Sequence, residues 1–236
     1  MDVQELDSKL DQLKHQLRTM PQIAELDALG KSRESVGDQV RDAQIRVDDL
    51  SRTQKKADAD VEQVKARRRR DQDRIDQGTI ANPKDLERMQ HEMVSLERRI
   101  SSLEDTELEV MEELETAQSD LERLTAEVAE VDRLIEAATE TRGETTERLN
   151  AEGRGLTEER KRTAGDMPED LMTLYAKLRT QKDGVGAAAL RARQCGGCRL
   201  DVNPADLSRI AKTPSDEVVR CEECGRILVR TSESGI

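Results

Sequence analysis

Four cysteines near the C-terminus are the residues whose type and spacing best suit chemistry. They form two Cys-x-x-Cys pairs, Cys195 with Cys198 and Cys221 with Cys224, and the first 194 residues contain no cysteine. This spacing is typical of a tetrahedral zinc site made of four thiolates; two disulfides or four independent thiols are the alternatives. Four sulfur ligands leave no open position for water or substrate, so the sequence predicts one structural zinc ion.

The elements that position these thiols are predicted to form a zinc ribbon over residues 185–236. This segment holds too few apolar side chains for a stable core of its own, so the metal is expected to supply folding energy. Gly197 and Gly225 are expected to give the backbone freedom that tight turns need beside the metal. Short strands are expected at residues 185–189, 218–220 and 227–229, and a helix at residues 204–211.

The composition of the whole chain argues against an ordinary globular core. The 236 residues are 38% charged, carry a formal net charge of -12, and include no Phe, no Trp and a single aromatic, Tyr175. Such a composition is typical of long helices or of disorder, and the periodicity of the apolar residues decides between the two. No apolar run approaches the ~20 residues of a membrane span. The N-terminus does not resemble a signal peptide, so we expect a cytoplasmic protein without membrane contact.

Apolar residues recur at alternating steps of three and four along two long segments. Fifteen of sixteen such positions are apolar between residues 86 and 138, and eleven of fifteen between residues 26 and 75. Sustained spacing of this kind predicts a coiled-coil seam. Polar residues in the seam could bend it or contact a second molecule; they include Arg33, Arg68, Asp71 and Glu107.

A short turn at residues 77–83 separates the two seams. Gly78 suits the end of a helix, and Asn82-Pro83 suits the start of the next one. A turn this short makes the helices antiparallel neighbours. Placing Ile75 opposite Leu86 makes the two seams begin and end almost together. Parallel coils formed between two molecules are the competing interpretation.

The predicted fold is therefore mainly α, with an antiparallel coiled-coil helical hairpin and a small four-cysteine zinc ribbon that contains short β-strands. The hairpin is predicted over residues 1–165, with a kink at 20–22 because Pro21 interrupts the helix. A connector helix is predicted within residues 166–184, before the ribbon.

Several short motifs spread over nearly the whole chain resemble one known family. They are Asn82-Pro83-Lys84-Asp85-Leu86 with Gln90-His91-Glu92, Leu174-Tyr175-Ala176-Lys177-Leu178-Arg179, Gly184-Val185-Gly186-Ala187, the first cysteine pair, and Val219-Arg220-Cys221-Glu222-Glu223-Cys224-Gly225-Arg226-Ile227-Leu228. With these motifs the chain resembles the bacterial C4-type zinc-ribbon family, in which a coiled-coil hairpin carries a C-terminal ribbon. The Arg- and Glu-rich helices resemble its actinobacterial branch.

The resemblance implies that the protein has no enzyme activity and that all four cysteines bind zinc. Members of this family have been connected with messenger RNA, with an alternative sigma factor of RNA polymerase, and with secretion or flagellar components. No motif identifies the residues that bind such partners.

Basic residues cluster in two places. Residues 65–91 include Arg67-Arg68-Arg69-Arg70, which could bind phosphate at the hairpin turn, although interleaved acids favour a solvated helix face. The second cluster precedes the first cysteine pair and is a candidate nucleic-acid surface: Lys177, Arg179, Lys182, Arg191 and Arg193. Base stacking there could use only Tyr175, which we expect instead to pack the connector against the ribbon. Residues 104–140, with fourteen acids and two bases, would bind nucleic acid poorly.

These features favour a non-enzymatic cytoplasmic adaptor that binds protein partners through the hairpin and the ribbon. Binding of RNA or DNA through the ribbon and its basic connector is the alternative. No nucleotide-binding loop or nucleophile motif is present. His15 and His91 have no partner at metal-ligand or triad spacing. An enzyme with a small-molecule substrate is therefore not expected.

Overall fold

A computed structural model describes all 236 residues. Its elements, in chain order, are α1 (Asp2–Arg18), α2 (Pro21–Asp76), α3 (Pro83–Gly165), α4 (Glu169–Gln181), β1 (Ala187–Arg191), β2 (Gln194–Cys195), α5 (Pro204–Lys212) and β3 (Ile227–Val229). Contacts divide the chain into two units, Glu25–Ala138 and the combination of Met1–Ala24 with Thr139–Ile236. None of the helices has a stretch that is long and apolar enough to cross a lipid bilayer.

The unit Glu25–Ala138 is an antiparallel helical hairpin, as the sequence predicts. At the turn Gly78 has a φ of 67°, and the Asn82 side chain accepts a hydrogen bond from the Lys84 N–H at 3.1 Å. Val47 packs against Leu114 and Ala117 across the two helices. Val47 and Leu114 face each other in the register that places Ile75 opposite Leu86.

Four ion pairs between the helices stabilise this register. In each pair the base lies on α2 and the acid on α3: Arg33–Asp132 (2.5 Å), Lys65–Glu104 (2.8 Å), Arg68–Glu97 (2.6 Å) and Arg67–Glu92. The seam residues Arg33 and Arg68 are thus paired within the hairpin and need no second molecule. Exposed pairs of this kind add little stability one by one, but opposite charges on facing helices select one alignment over others.

In the other unit, α1 packs against the C-terminal part of α3 and against α4. The chain leaves helical geometry at Thr19-Met20, directly before Pro21. α3 remains helical to Gly165, although the three glycines before it have low helix propensity. Val3, Tyr175, Leu178, Ala187 and Ile227 form one buried cluster. Tyr175 therefore packs the connector helix α4 against the ribbon, as its position in the sequence suggests.

A buried carboxylate fixes α1 in this unit. The Asp7 side chain is 5% exposed and accepts two hydrogen bonds from Arg160, at 2.6 and 3.1 Å, and one from the Tyr175 hydroxyl at 2.8 Å. Arg179 lies 3.7 Å away and also pairs with Asp11. Burial by itself raises the pKa of Asp7, but these hydrogen bonds and the Arg179 charge hold it below its ordinary value.

The ribbon sheet has the strand order β2-β1-β3, with β1 antiparallel to β2 and parallel to β3. The sequence predicts alternating burial from residue 185; the strand instead begins at Ala187 and is buried continuously to Leu190. Both faces of β1 are covered, because Ala187 joins the Tyr175 cluster while Ala188 and Leu190 join the ribbon core.

One predicted strand of the ribbon is absent. Residues 218–220 form only a single bridge, between Arg220 and Ile227, because the second knuckle begins at the next residue and ends the pairing. The predicted helix is present as α5, and the Asn203 side chain caps it by accepting the Asp206 N–H.

Truncation of a seam residue tests the hairpin. Leu114→Ala should lower the free energy of unfolding by about 2–4 kcal/mol, because it leaves a cavity beside Val47. Leu108→Ala on the same helix is the control; its side chain is 57% exposed, and its effect should stay below about 0.5 kcal/mol. Urea unfolding followed by helical circular dichroism measures both. Equal losses in the two variants would contradict the seam.

Neutralising the buried carboxylate tests the docking of α1. Asp7→Asn should lower the local stability of α1 at pH 7 by about 2 kcal/mol, because it leaves Arg160 and Arg179 with a weaker partner. Hydrogen exchange of α1 amides measures this, and the exposed Asp2→Asn is the control.

The pH dependence follows from the lowered pKa of Asp7. The stabilisation is complete above the unfolded-state pKa, near 3.8, and is lost as pH falls through the lower folded-state pKa. Wild-type α1 should therefore lose protection in acid more steeply than the Asp7→Asn variant. Parallel pH profiles would show that Asp7 is not the titrating group.

Candidate metal centre

Two tight turns of the ribbon carry the four cysteines. The first knuckle, residues 195–200, begins at the end of β2, and the second knuckle, residues 221–226, leads directly into β3. In each knuckle the N–H four residues after the first cysteine donates to the carbonyl of that cysteine, Arg199 to Cys195 at 2.7 Å and Gly225 to Cys221 at 2.8 Å. The two knuckles therefore share one backbone fold.

This shared fold requires a left-handed backbone at the fifth position of each knuckle. Gly225 meets the requirement with a φ of 71°, whereas Arg199 adopts a φ of 62° at the equivalent position. A side chain makes that conformation unfavourable, so Arg199 carries a strain that Gly225 avoids. The prediction that Gly197 gives backbone freedom was wrong, because its φ is not left-handed. Glycine is needed at this position for space, because an added Cβ would lie 2.7 Å from the Arg226 Cδ.

The four sulfur atoms lie at the spacing that zinc requires. They are all within 4.8 Å of one another, and two pairs across the knuckles are Cys195–Cys224 at 3.8 Å and Cys198–Cys221 at 3.9 Å. A zinc ion about 2.3 Å from each of four tetrahedral sulfurs separates those sulfurs by about 3.8 Å. The sulfur separations are far too long for disulfides, which need about 2.05 Å. The donor set therefore fits one zinc ion.

The thiols differ in their surroundings. Burial raises the pKa of Cys195, and it raises the pKa of Cys221 to about 12. For Cys224, burial also raises the pKa, but hydrogen bonds from the Arg226 N–H and side chain and from neighbouring thiols outweigh it and lower the value to about 7. Cys195 and Cys221 belong to the ribbon core with Leu190, so the metal site and the hydrophobic core are continuous.

The candidate nucleic-acid residues do not form one free basic surface. Arg179 is engaged by Asp7 and Asp11, and Arg191 pairs with Glu233 at 3.1 Å. Arg191 ends β1, and Arg193 lies in the β1–β2 turn, where its Nε donates to the Gly235 carbonyl at 3.1 Å. Lys177 is exposed on α4, and Lys182 is half-buried at its C-terminal end.

The basic residues near the hairpin turn are largely paired with acids, as the interleaved sequence suggests. Arg67, Arg68 and Arg69 each form an ion pair, with Glu92, Glu97 and Glu62. The two histidines, His15 on α1 and His91 on α3, are both exposed on helix surfaces.

Two contributors to the ribbon give no local signal in the sequence. The Arg230 guanidinium donates to carbonyls at the C-terminal end of α5, including that of Ile210 at 3.2 Å. The buried Ser234 hydroxyl donates to the Leu190 carbonyl at 3.0 Å. Both contacts tie the C-terminal tail to elements distant in sequence, so neither motif nor periodicity could reveal them.

Comparison with known proteins gives the same architecture. Residues 3–183 match the model of a CT398-like coiled coil hairpin domain, and residues 194–228 match that of a C4-type zinc ribbon domain. With the close approach of the four sulfurs, the second match supports one structural zinc ion. Neither domain type indicates enzymatic activity.

Similar proteins occur in mycobacteria. The chain is 30% identical over 230 residues to the uncharacterized protein Rv2229c of Mycobacterium tuberculosis, which covers 98% of this chain and 93% of that relative. It is 25% identical over 222 residues to the uncharacterized protein ML1638 of Mycobacterium leprae, with 94% and 95% covered.

Solved structures show the same fold. A protein from Mycobacterium smegmatis superposes with a TM-score of 0.80 at 29% identity, covering 98% of this chain and 95% of that one. CT398 from Chlamydia trachomatis superposes with a TM-score of 0.65 at 20% identity, with 97% and 94% covered, a likeness of fold alone. The chain belongs to the family that joins a CT398-like coiled-coil hairpin domain to a C4-type zinc ribbon.

Proposed function

We propose that this protein is a non-enzymatic adaptor of the cytoplasm. In this proposal it binds a protein partner through its coiled-coil hairpin, and one zinc ion, held by Cys195, Cys198, Cys221 and Cys224, keeps its ribbon folded. The two domain types support a structural or binding role. We infer in addition that the partner is a protein and that it docks on the hairpin. Thiols that serve zinc, rather than disulfides, are the usual state in the cytoplasm.

The observation that carries the proposal is a set of apolar side chains outside the hairpin seam. Leu108 and Met111, one helical turn apart on α3, are 57% and 43% exposed. Residues three apart lie on the same helix face, so the two side chains can contact one partner together. Other large apolar side chains exposed on this unit are Ile45, Val94 and Leu134.

The charge around this apolar pair indicates the chemistry of the partner. Residues 104–115 contain seven acids and no base, and Glu104 has an ion pair with Lys65 on the facing helix. A partner with a basic surface and an apolar stripe would complement this region. A second copy of the chain would bring two acidic surfaces together, which like-charge repulsion opposes.

The zinc site supports a structural role for the metal. Four thiolates fill the tetrahedral coordination of zinc, so no position is left for an activated water or a substrate. The sulfur spacing and the continuity of Cys195 and Cys221 with the ribbon core favour a site that stabilises the fold.

Nucleic-acid binding through Lys177, Arg179, Lys182, Arg191 and Arg193 is the competing proposal. The ion pairs of Arg179 and Arg191 reduce the charge that these residues can offer to phosphates. Arg193 is exposed beside the first knuckle and is the residue at which this alternative is best tested.

Site-specific photocrosslinking in native cells tests the adaptor. A photoreactive residue at position 108 should capture a protein partner, and Met111→Asp should abolish the adduct, because a charge on the apolar face opposes docking. Position 119, an exposed serine on the same helix, is the control. Equal adducts at 108 and 119 would contradict the proposed surface. Capture of RNA at position 193, with no protein at 108, would support the competing proposal.

Removal of zinc tests the ligand assignment. A chelator should unfold residues 185–236 but leave most helical circular dichroism in place, because the hairpin buries its own apolar seam. Excess zinc added with the chelator is the control, and Cys221→Ser should mimic chelation. A ribbon that stays folded without metal would refute the assignment, and loss of most helicity would show that the two parts fold as one.

A further inference from the structure

Arg226, the last residue of the second knuckle, makes contacts that no part of the proposed function requires. Its Nε donates to the Val185 carbonyl at 2.9 Å, and its Nη2 donates to the Lys182 carbonyl at 3.1 Å. Its backbone carbonyl belongs to the second knuckle, where it accepts the N–H of the zinc-site residue Cys221. One residue therefore joins the second knuckle to the segment between α4 and β1.

The knuckle itself does not explain an arginine at this position. The carbonyl of Arg226 accepts the Cys221 N–H at 3.0 Å, and in the first knuckle the Leu200 carbonyl accepts the Cys195 N–H at the same distance. Leu200 is thus the counterpart of Arg226 and fulfils the backbone role with an exposed apolar side chain. The Arg226 side chain must be serving contacts outside the knuckle.

The first knuckle leaves space for the arginine to cross it. A Cβ at Gly197 would lie 2.7 Å from the Arg226 Cδ and 3.2 Å from the Ala188 Cβ. The Cδ is in the middle of the side chain and is anchored on both sides, so it cannot simply swing away. Glycine at 197, between two cysteines of the other knuckle, is therefore matched to Arg226.

The segment that Arg226 holds is also held by α1. The Gln4 side chain donates to the Gly184 carbonyl at 3.0 Å and accepts from the N–H groups of Gly186 at 2.8 Å and Ala187 at 3.3 Å. Residues 182–187 are thus hydrogen-bonded to the metal site from one side and to the N-terminal helix from the other.

We propose that Arg226 is a positioning residue that couples the zinc-bound fold of the two knuckles to the order of residues 182–187. With zinc bound, the knuckles hold the Arg226 side chain against Gly197, and its guanidinium caps the carbonyls that follow α4. The guanidinium also suits the negative end of a helix. When zinc leaves, the knuckles that position Arg226 lose their order, and residues 182–187 and their contact with Gln4 loosen.

Zinc release from the full-length, zinc-loaded chain is the first test. Arg226→Ala should release zinc to pyridylazoresorcinol about 10–100-fold faster than wild type, the usual range for loss of a group that supports a metal ligand. Arg199→Ala, which removes an exposed arginine beside Cys198, is the matched control and should leave the rate unchanged. Arg226→Lys keeps the charge but not both carbonyl contacts, so an intermediate rate is expected.

Two further readouts separate coupling from a general loss of stability. Removal of zinc from wild type should raise amide exchange at residues 184–187, whereas removal of zinc from Arg226→Ala should add little, because the side chain that transmits the change is already gone. With zinc bound, amide exchange should rise at residues 184–187 in Arg226→Ala but not in Arg199→Ala. Gly197→Ala should reproduce both effects in part, because it displaces the Arg226 side chain.

If Arg226→Ala does not fold, Arg226→Lys and Gly197→Ala decide the question by the same measurements. Zinc release and exchange at 184–187 that both match the Arg199→Ala control would overturn the proposal. A faster release with unchanged exchange at 184–187 would also overturn it, because Arg226 would then support the metal site without holding that segment.

Discussion

A shortage of large apolar side chains constrains every part of this fold. The chain has no Phe or Trp, and its one aromatic, Tyr175, is buried where α1, α4 and the ribbon meet. Burial of apolar surface is the main favourable contribution to folding, so a chain with few large apolar side chains needs additional sources of stability. The hairpin distributes small contacts over two long helices, and the ribbon combines a small core with a metal site formed by four thiols.

Charged groups supply the specificity that a narrow seam lacks. Within the hairpin, bases on α2 face acids on α3, which favours one alignment of two helices whose apolar stripes alone would tolerate others. In the other unit, the buried Asp7 carboxylate forms ion pairs with Arg160 and Arg179 and accepts a hydrogen bond from the Tyr175 hydroxyl. A buried charge left without its partners is costly, so this network permits α1 to dock in one position.

The same distribution of charge and apolar surface bears on function. The proposed docking surface combines the exposed Leu108 and Met111 with an acidic helix, whereas most arginines near the ribbon are engaged by acids or carbonyls. One zinc ion held by the four thiols stabilises the ribbon. Through Arg226 and Gln4 its influence is proposed to reach the connector and α1.

Features that depend on residue spacing and local backbone preference could be predicted from the sequence. Cysteine spacing predicted the zinc ribbon, the three-four periodicity predicted the antiparallel seam, and Gly78 with Asn82-Pro83 predicted the turn. Short strands were less predictable, because burial of β1 on both faces removes the alternation that marks a strand in the sequence.

Contacts between side chains that are distant in sequence could be seen only in the folded chain. Gln4 with Gly186, Asp7 with Arg160, and Arg226 with Gly197 lie far apart in the chain, and no periodicity relates the members of any pair. Gly197 is an example. Its place between two cysteines suggested a role in backbone conformation, whereas in the folded chain the missing side chain leaves room for Arg226. Local patterns fix the backbone of each element, but packing between elements decides what each side chain touches.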